Sequence, residues 1–413
     1  MKIAVIGSGI SGLVCAYLLA AVHEVVLFER EDRIGGHTHT VTVQHEGRDH
    51  DVDTGFIVFN ERNYPGFCRL LQRLGVASRP TTMSFSVRDD RTDFEYGGNS
   101  LSGIIGPWSN LFKPRWWRLI RGVSRLGPDG RELRADLPES ATLHDLVASG
   151  RLSPVLVEDY LLPMAGAIWS APRNDLLNFP AQFLLRFFDN HGMLNLRERP
   201  QWRTVVGGSH AYLRAMRPVL DPITRLGCPA ESVTRSDNGV EVCAKGRSER
   251  FDQVILAAHA DEALAMLTDP SPDEQSILSA MPYQANDVVL HSDASLLPKR
   301  RRCWAAWNYR RTEDPSRPIA VTYNMSILQG LSTQEPLCVT LNDAASIDPA
   351  RVLRRFTYAH PLYTLAGEAA RSGWSAISGV RQTHYCGAYW GNGFHEDGVA
   401  SALRVCSSLG AEL

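Results

Sequence analysis

Lysine is nearly absent from this chain. Of 43 basic residues only Lys2, Lys113, Lys245 and Lys299 are lysine, so a mechanism built on an amine side chain has few places to find one. Cysteine is scattered: the eight residues form no C-x-x-C pair and no Cys/His spacing suited to zinc, so no metal site is expected. Cys15, inside a helical pattern, reads as a small core residue. No apolar run reaches the length that spans a bilayer. No signal peptide is expected, because a strand begins at residue 2. A basic excess is missing as well: the formal net charge is -2, which argues against a general nucleic-acid binder. These absences together describe a reduced, cytoplasmic protein. Its 413 residues suffice for two domains, or for one domain with a large insertion.

What is present is concentrated in the first forty residues. Lys2 to Ile6 reads as a buried strand, and Gly7-Ser8-Gly9-Ile10-Ser11-Gly12 as a glycine turn opening a helix with Leu13, Ala16, Leu19 and Ala20 at apolar positions. His23 to Glu29 gives a second strand ending on an acid. This is the order of a dinucleotide site. Gly7 permits the tight turn, Gly9 lets the backbone approach a pyrophosphate, and Gly12 lets helix and strand pack closely. The helix start offers free N–H groups and a positive dipole end to phosphates, and Glu29 can accept hydrogen bonds from a ribose.

Glu31-Asp32-Arg33-Ile34-Gly35-Gly36-His37-Thr38 extends the pattern. An acidic strand end, a basic residue and a Gly-Gly pair after the first glycine turn resemble the FAD-binding fold of flavin-containing amine oxidases, protoporphyrinogen oxidase and phytoene desaturases. The resemblance implies an α/β architecture: a Rossmann-like FAD-binding domain of the glutathione-reductase-2 type, with an inserted α+β substrate domain built on an antiparallel sheet. It implies non-covalent FAD, with contacts from Gly7, Gly9, Ile10, Ser11, Gly12, Glu29, Arg30, Arg33, Gly35, Gly36, His37 and Thr38. One departure is His37, where amine oxidases commonly carry Arg.

Further along, 40–43 and 49–53 read as a hairpin leading to Asp53-Thr54-Gly55-Phe56. Gly55 and Phe56 read either as flavin neighbours, by the resemblance, or as a plain strand end. Tyr64 to Leu74 follows as an amphipathic helix. From Ala77 the pattern turns to strands, and residues 101–134 combine Trp108, Trp116 and Trp117 with a series of arginines. That stretch reads either as a segment lying on a membrane surface or as a helix with Trp in the core and Arg in solvent. The apolar residues 161–170 and 183–188 could wall a cavity for a hydrophobic substrate, or could be ordinary core.

Gly207-Gly208-Ser209 resembles the segment that re-enters the cofactor domain in the family, where the residue matching Val233 meets the adenine. Gly387 to Gly398 precedes a final helix over 399–409, whose N-terminus would face the flavin pyrimidine oxygen, with Phe394, His395 and Glu396 at that end. Phe394 matches a substrate-cage position of amine oxidases. Ala388 stands where the family carries an acid that contacts the cofactor, and Cys386 is a position to check for a covalent flavin link. The implied division is 1–76, 200–283 and 374–413 for the cofactor domain, and 77–199 and 284–373 for the substrate domain.

A single dinucleotide fingerprint points to reoxidation by O₂ or another carrier rather than by NAD(P)H. Many amine oxidases place a lysine near the flavin, and Lys299 supports that role poorly. The expected activity is FAD-dependent dehydrogenation of a hydrophobic substrate, with the unsaturated acyl chain of a membrane lipid favoured and peripheral membrane contact through 101–134. The likeness extends to bacterial flavoproteins associated with modification of unsaturated or cyclopropane fatty acids. Amine oxidation and redox-neutral isomerisation are the alternatives, and a flavin protein without turnover is the rival from another class. His395, Phe394 and His291 are the candidate catalytic residues.

Overall fold

The computed structural model describes residues 1–169, 171, 173–194, 200–312 and 320–413. Lys2–Ile6 is the central strand of a five-stranded sheet, because four of its five residues are apolar and buried and both of its edges are paired. The order across this sheet is Thr224–Arg225, Glu24–Phe28, Lys2–Ile6, Gln253–Leu256 and Thr383–Tyr385, and every neighbouring pair is parallel. Parallel strands need covered faces. Helix Ile10–Leu19 covers one, with nine of its ten residues buried and Ser11 Oγ donating to Gly398 O at 3.0 Å on the C-terminal helix His395–Ser408. The antiparallel strands Ala230–Ser236, Gly239–Ala244 and Arg247–Phe251 form a separate sheet, and their Val233, Val240, Val242 and Phe251 pack against the other face.

A seven-stranded sheet runs Val352–Pro361, Tyr283–His291, Cys338–Leu341, Ala320–Asn324, Trp307–Arg311, Phe85–Asp89, Phe94–Gly97. The sequence reading expected an antiparallel sheet, and one pair departs from it: Trp307–Arg311 lies parallel to Phe85–Asp89. These two strands come from distant parts of the chain, so no hairpin dictates their relative direction. The hairpin is longer than expected, Thr40–His45 with Arg48–Asp53, turning through Glu46 and Gly47 at positive φ. The final helix starts at His395, earlier than the expected Val399, because the Asp397 carboxylate accepts from Phe394 N–H at 2.9 Å and caps the first turn.

Residues 101–134 divide between core and surface. Trp116, Leu119, Leu126 and Leu133 of helix Pro114–Asp136 are buried in a large apolar core, while Leu101, Trp108, Phe112 and Trp117 face outward. No described helix is long and apolar enough to cross a membrane. Phe183, Leu184, Leu185 and Phe188 belong to the same core, and Ser170, the last residue of the first apolar run, lies outside the described residues.

Candidate active site

A cavity of about 1040 Å³ runs from the glycine turn, past the start of the C-terminal helix, to the seven-stranded sheet. Its first part is built by close approach. A Cβ on Gly12 would stand 1.9 Å from Gly7 O, so only glycine lets the helix start directly behind the turn. Gly36, at φ +56°, would place a Cβ 3.1 Å from Gly9 Cα, so the Gly-Gly pair lies against the turn. Around Gly9 a Cβ would meet only open space, and Ile10 and Ser11 bring the helix N-terminus to the cavity wall. Glu29 takes N–H and O–H from Ser8 on one oxygen and the Glu31 N–H at 2.8 Å on the other, which leaves acceptor capacity for a ribose hydroxyl. Arg33 Nη1 donates to Gly36 O at 3.0 Å and holds the second loop. His37 Nε2 is buried without a partner. A glycine cradle, a helix start and an orphaned imidazole nitrogen fit an extended dinucleotide such as FAD.

The cavity is lined by Gly7, Gly9, Ile10, Ser11, Glu29, Arg30, Arg33, Gly35, Gly36, His37, Thr38, Gly55, Phe56, Gly387, Phe394 and His395. Gly12 stands behind the wall. Three other expectations, Val233, Glu396 and His291, fail on position, and Cys386, named for checking, does not reach the cavity. Val233 is fully buried in a strand whose register shifts between Ala230 and Ser232; its carbonyl accepts from Thr268 N–H, and Pro229 and Ala230 line the cavity in its place. Glu396 instead caps the helix Pro65–Arg73, accepting from Gly66 and Phe67 N–H at 2.8 Å each. His291 is remote: its Nε2 pairs with Thr340 Oγ1 at 2.7 Å and its Nδ1 accepts from Asp293 N–H, so it is a satisfied core histidine. Cys386 is buried with its sulfur 3.9 Å from that of Cys15, away from the cavity, which gives a covalent link no attachment point there.

His395 does face the cavity, stacked on Phe56 with centroids 3.7 Å apart, and its Nε2 meets Tyr212 OH at 2.9 Å. Desolvation holds its pKa down at about 3, so it is neutral at ordinary pH. Tyr212 in turn bonds Thr38, and the three residues tie the Gly-Gly loop to the start of the C-terminal helix.

The far half of the cavity is apolar. Trp169, Phe187, Trp202, Trp307, Leu341 and Phe356 wall it, with Phe394 stacked on Phe187 at 5.1 Å. Among the described residues, the five charged lining side chains, Glu29, Arg30, Glu31, Arg33 and Glu262, belong to the glycine-turn end, where Arg30 also pairs with Glu262 at 2.9 Å. No lysine lines the cavity.

Histidines add polarity beside the hydroxyls of Tyr323 and Tyr363 and the amide of Asn392, and of these histidines His191 and His360 were missed by sequence reasoning. His360 Nδ1 accepts from Asn286, whose carbonyl oxygen is fixed by Asn342. His37 sits between His360 and Tyr358, with centroids 5.4 and 5.1 Å away. Desolvation, followed by the neighbouring imidazoles, keeps the His37 pKa well below its usual value. His191, one residue beyond helix Ala181–Asn190, lies over Phe187 and beside Phe394. Burial lowers its pKa to about 4. The only sequence signal for it was a polar residue closing an apolar helical run.

With this geometry in view, the relatives are informative. An L-amino-acid oxidase of Siganus canaliculatus is 25% identical over 305 residues, which are 70% of this chain and 56% of that protein's length. A cyclohexylamine oxidase from Brevibacterium oxydans superposes with a TM-score of 0.69 at 15% identity, covering 99% of both chains. A CLA-producing fatty acid isomerase from P. acnes superposes at 0.67 and 16% identity, covering 99% of this chain and 98% of that one. The family described as flavin containing amine oxidoreductase matches residues 10–409. The chain belongs to that family and is an FAD-dependent oxidoreductase.

Proposed function

We propose that this enzyme dehydrogenates an uncharged, largely apolar small molecule, and that its favoured substrate is the unsaturated acyl chain of a membrane lipid. One observation carries the reading: among the described residues, the far half of the cavity holds no charged side chain. An amino-acid carboxylate or a polyamine placed there would be desolvated without a counter-charge, at a cost of several kcal/mol by the order of magnitude for burying an ion. An acyl chain pays no such penalty, and the aromatic walls bury it.

FAD, when bound, supplies the hydride acceptor. The glycine cradle and helix start would hold its pyrophosphate, and Gly55, Phe56 and His395 would contact its ring end. Phe187, Phe394 and Trp169 orient the substrate and exclude water. His191 is a neutral polar group beside them. We assign residues 1–76, 200–283 and 374–413 to a Rossmann-like cofactor domain of the glutathione-reductase-2 type, and 77–199 and 284–373 to the substrate domain. Electrons leave to O₂ or another carrier. A cytoplasmic enzyme drawing lipid from the inner face of the membrane through 101–134 suits this reading.

Amine oxidation stands second, favoured by the family match and by the Phe394 ring lining the cavity beside Phe187. The experiment is anaerobic mixing of the FAD-loaded protein with unsaturated phospholipid or with an amine, followed by flavin absorbance and product mass. Bleaching by lipid with loss of two hydrogens supports the proposal. Bleaching by amines alone overturns it in favour of amine oxidation. A rearranged lipid of unchanged mass assigns isomerisation.

A further inference from the structure

Among the described residues, every exposed Trp and Phe side chain lies on one short segment. Trp108 is 59% exposed, Phe112 88% and Trp117 55%, and Leu101 at the head of the same segment is 82% exposed. An apolar residue exposed alone is ordinary; three aromatic rings and a leucine within seventeen residues are a patch. The fold presents them as one surface. Trp117 Nε1 donates to Leu111 O at 2.9 Å, which lays its indole over the 3₁₀ turn Trp108–Phe112. The Arg302 guanidinium lies 5.5 Å from the Trp108 ring centroid. Helix Leu101–Ile105 packs on the same 301–303 turn, where Cys303 Sγ bonds Gly103 O.

The patch is rigidly backed, since Trp116 and Leu119 of the same helix are buried and Trp116 Nε1 donates to Ile104 O at 3.0 Å. Internal packing therefore uses the inner face of this segment and leaves the outer face without a partner. Beside it stand Arg118, Arg121, Arg301 and Arg302, none of which makes a salt bridge among the described residues. Arg121 falls one helical turn beyond Trp117, on the same face. The nearby acids Asp93 and Glu95 are occupied by Arg300.

Aromatic rings flanked by unpaired arginines match a bilayer interface, where indoles sit at headgroup depth and guanidiniums reach anionic phosphates. We propose that the surface formed by Leu101, Trp108, Phe112 and Trp117 with Arg118, Arg121, Arg301 and Arg302 docks the enzyme peripherally on an anionic lipid bilayer. The charge complementarity of the four free guanidiniums selects this occupant over a second copy of the chain, whose like patch would bring the same positive charges together.

The test is co-sedimentation of the FAD-loaded protein with vesicles of phosphatidylcholine alone or mixed with phosphatidylglycerol, at low and high salt. It needs no turnover, so it reads independently of the substrate. Binding to the mixed vesicles, weakened at least tenfold by salt, by omission of phosphatidylglycerol, and by the triple variant Trp108→Ser, Phe112→Ser, Trp117→Ser, is the expected result. The double variant Arg118→Glu, Arg121→Glu, which alters only exposed positions, is expected to lose binding while keeping its FAD. Wild-type protein that stays in the supernatant at low salt overturns the proposal. So do binding unchanged in both variants and dimerisation through the patch in place of vesicle binding.

Discussion

His191 Nδ1 lies 3.0 Å from the carbonyl oxygen of Phe187, one helical turn earlier. A carbonyl only accepts, so Nδ1 must carry the proton and Nε2 must present its lone pair. With the pKa lowered to about 4, this tautomer persists through the neutral range. His191 Nε2 is thus a neutral acceptor of defined orientation in the apolar half of the cavity, next to Phe394.

His191→Phe should keep the stack on Phe187 and remove the acceptor. The expected effect is a loss of about tenfold in kcat/KM, corresponding to ~1.4 kcal/mol for one hydrogen bond. FAD content and thermal stability should stay near the parent's. A steady-state comparison over pH 6 to 9 checks it, and equal kcat/KM in both proteins would remove His191 from the site.

Gly36→Ala tests the cradle. The new Cβ would press on Gly9 Cα at 3.1 Å from a backbone at φ +56°, and both effects push the Gly-Gly pair away from the glycine turn. Purified Gly36→Ala protein should contain much less flavin per chain, measured by absorbance after denaturation, while its far-ultraviolet circular dichroism is retained. Full flavin occupancy would show that the pair does not touch the cofactor.

The cradle was readable in the sequence because its parts are local: Lys2 to Gly36 spans one strand, one helix and one strand, the first glycine turn follows from spacing, and the Gly-Gly pair follows from the family resemblance. The far wall was not, because Trp169, Trp202, Trp307 and Phe356 are brought together by sheet pairings and helix packing from four separate stretches. Val233 was misplaced for a related reason: it packs in the core inside strand Ala230–Ser236, and the chain meets the cavity at Pro229 and Ala230, before and at the start of that strand. Glu396 follows a cavity-lining histidine, yet the next helical position points about 100° away and finds the start of another helix. His291 read as an acid–base candidate because alternation along a strand does not distinguish a wet face from a packed one.

Arg235 offers a test of the scaffold away from the cavity. Its fully buried guanidinium holds Glu274 through two contacts and Asp269 through a third, and Glu274 also accepts from Tyr385 OH at 2.6 Å. This joins the three-stranded sheet to the edge strand Thr383–Tyr385 of the parallel sheet. Arg235→Ala strands a buried carboxylate and should cost about 3–5 kcal/mol, read as a lower midpoint in chemical denaturation. A loss below ~1 kcal/mol, the scale of an exposed pair, would contradict the burial seen here.

Stability against pH follows from the buried titrating groups. His39, His191, His291, His360 and His384 are lowered to about 4 and His395 to about 3, each mainly by desolvation. Unfolded, they would titrate at about 6.5, so between these values the unfolded chain binds more protons and stability must rise with pH. Asp53 and Asp397 oppose this, because burial raises both to about 6 and the folded chain then holds their protons longer. Six histidines outweigh two carboxyls. The apoprotein should gain stability from pH 4 to 6.5, by at least about 1.4 kcal/mol per pH unit for one net proton, and then level off. Denaturation midpoints that fall across this window would show that the histidines are not buried as neutral rings.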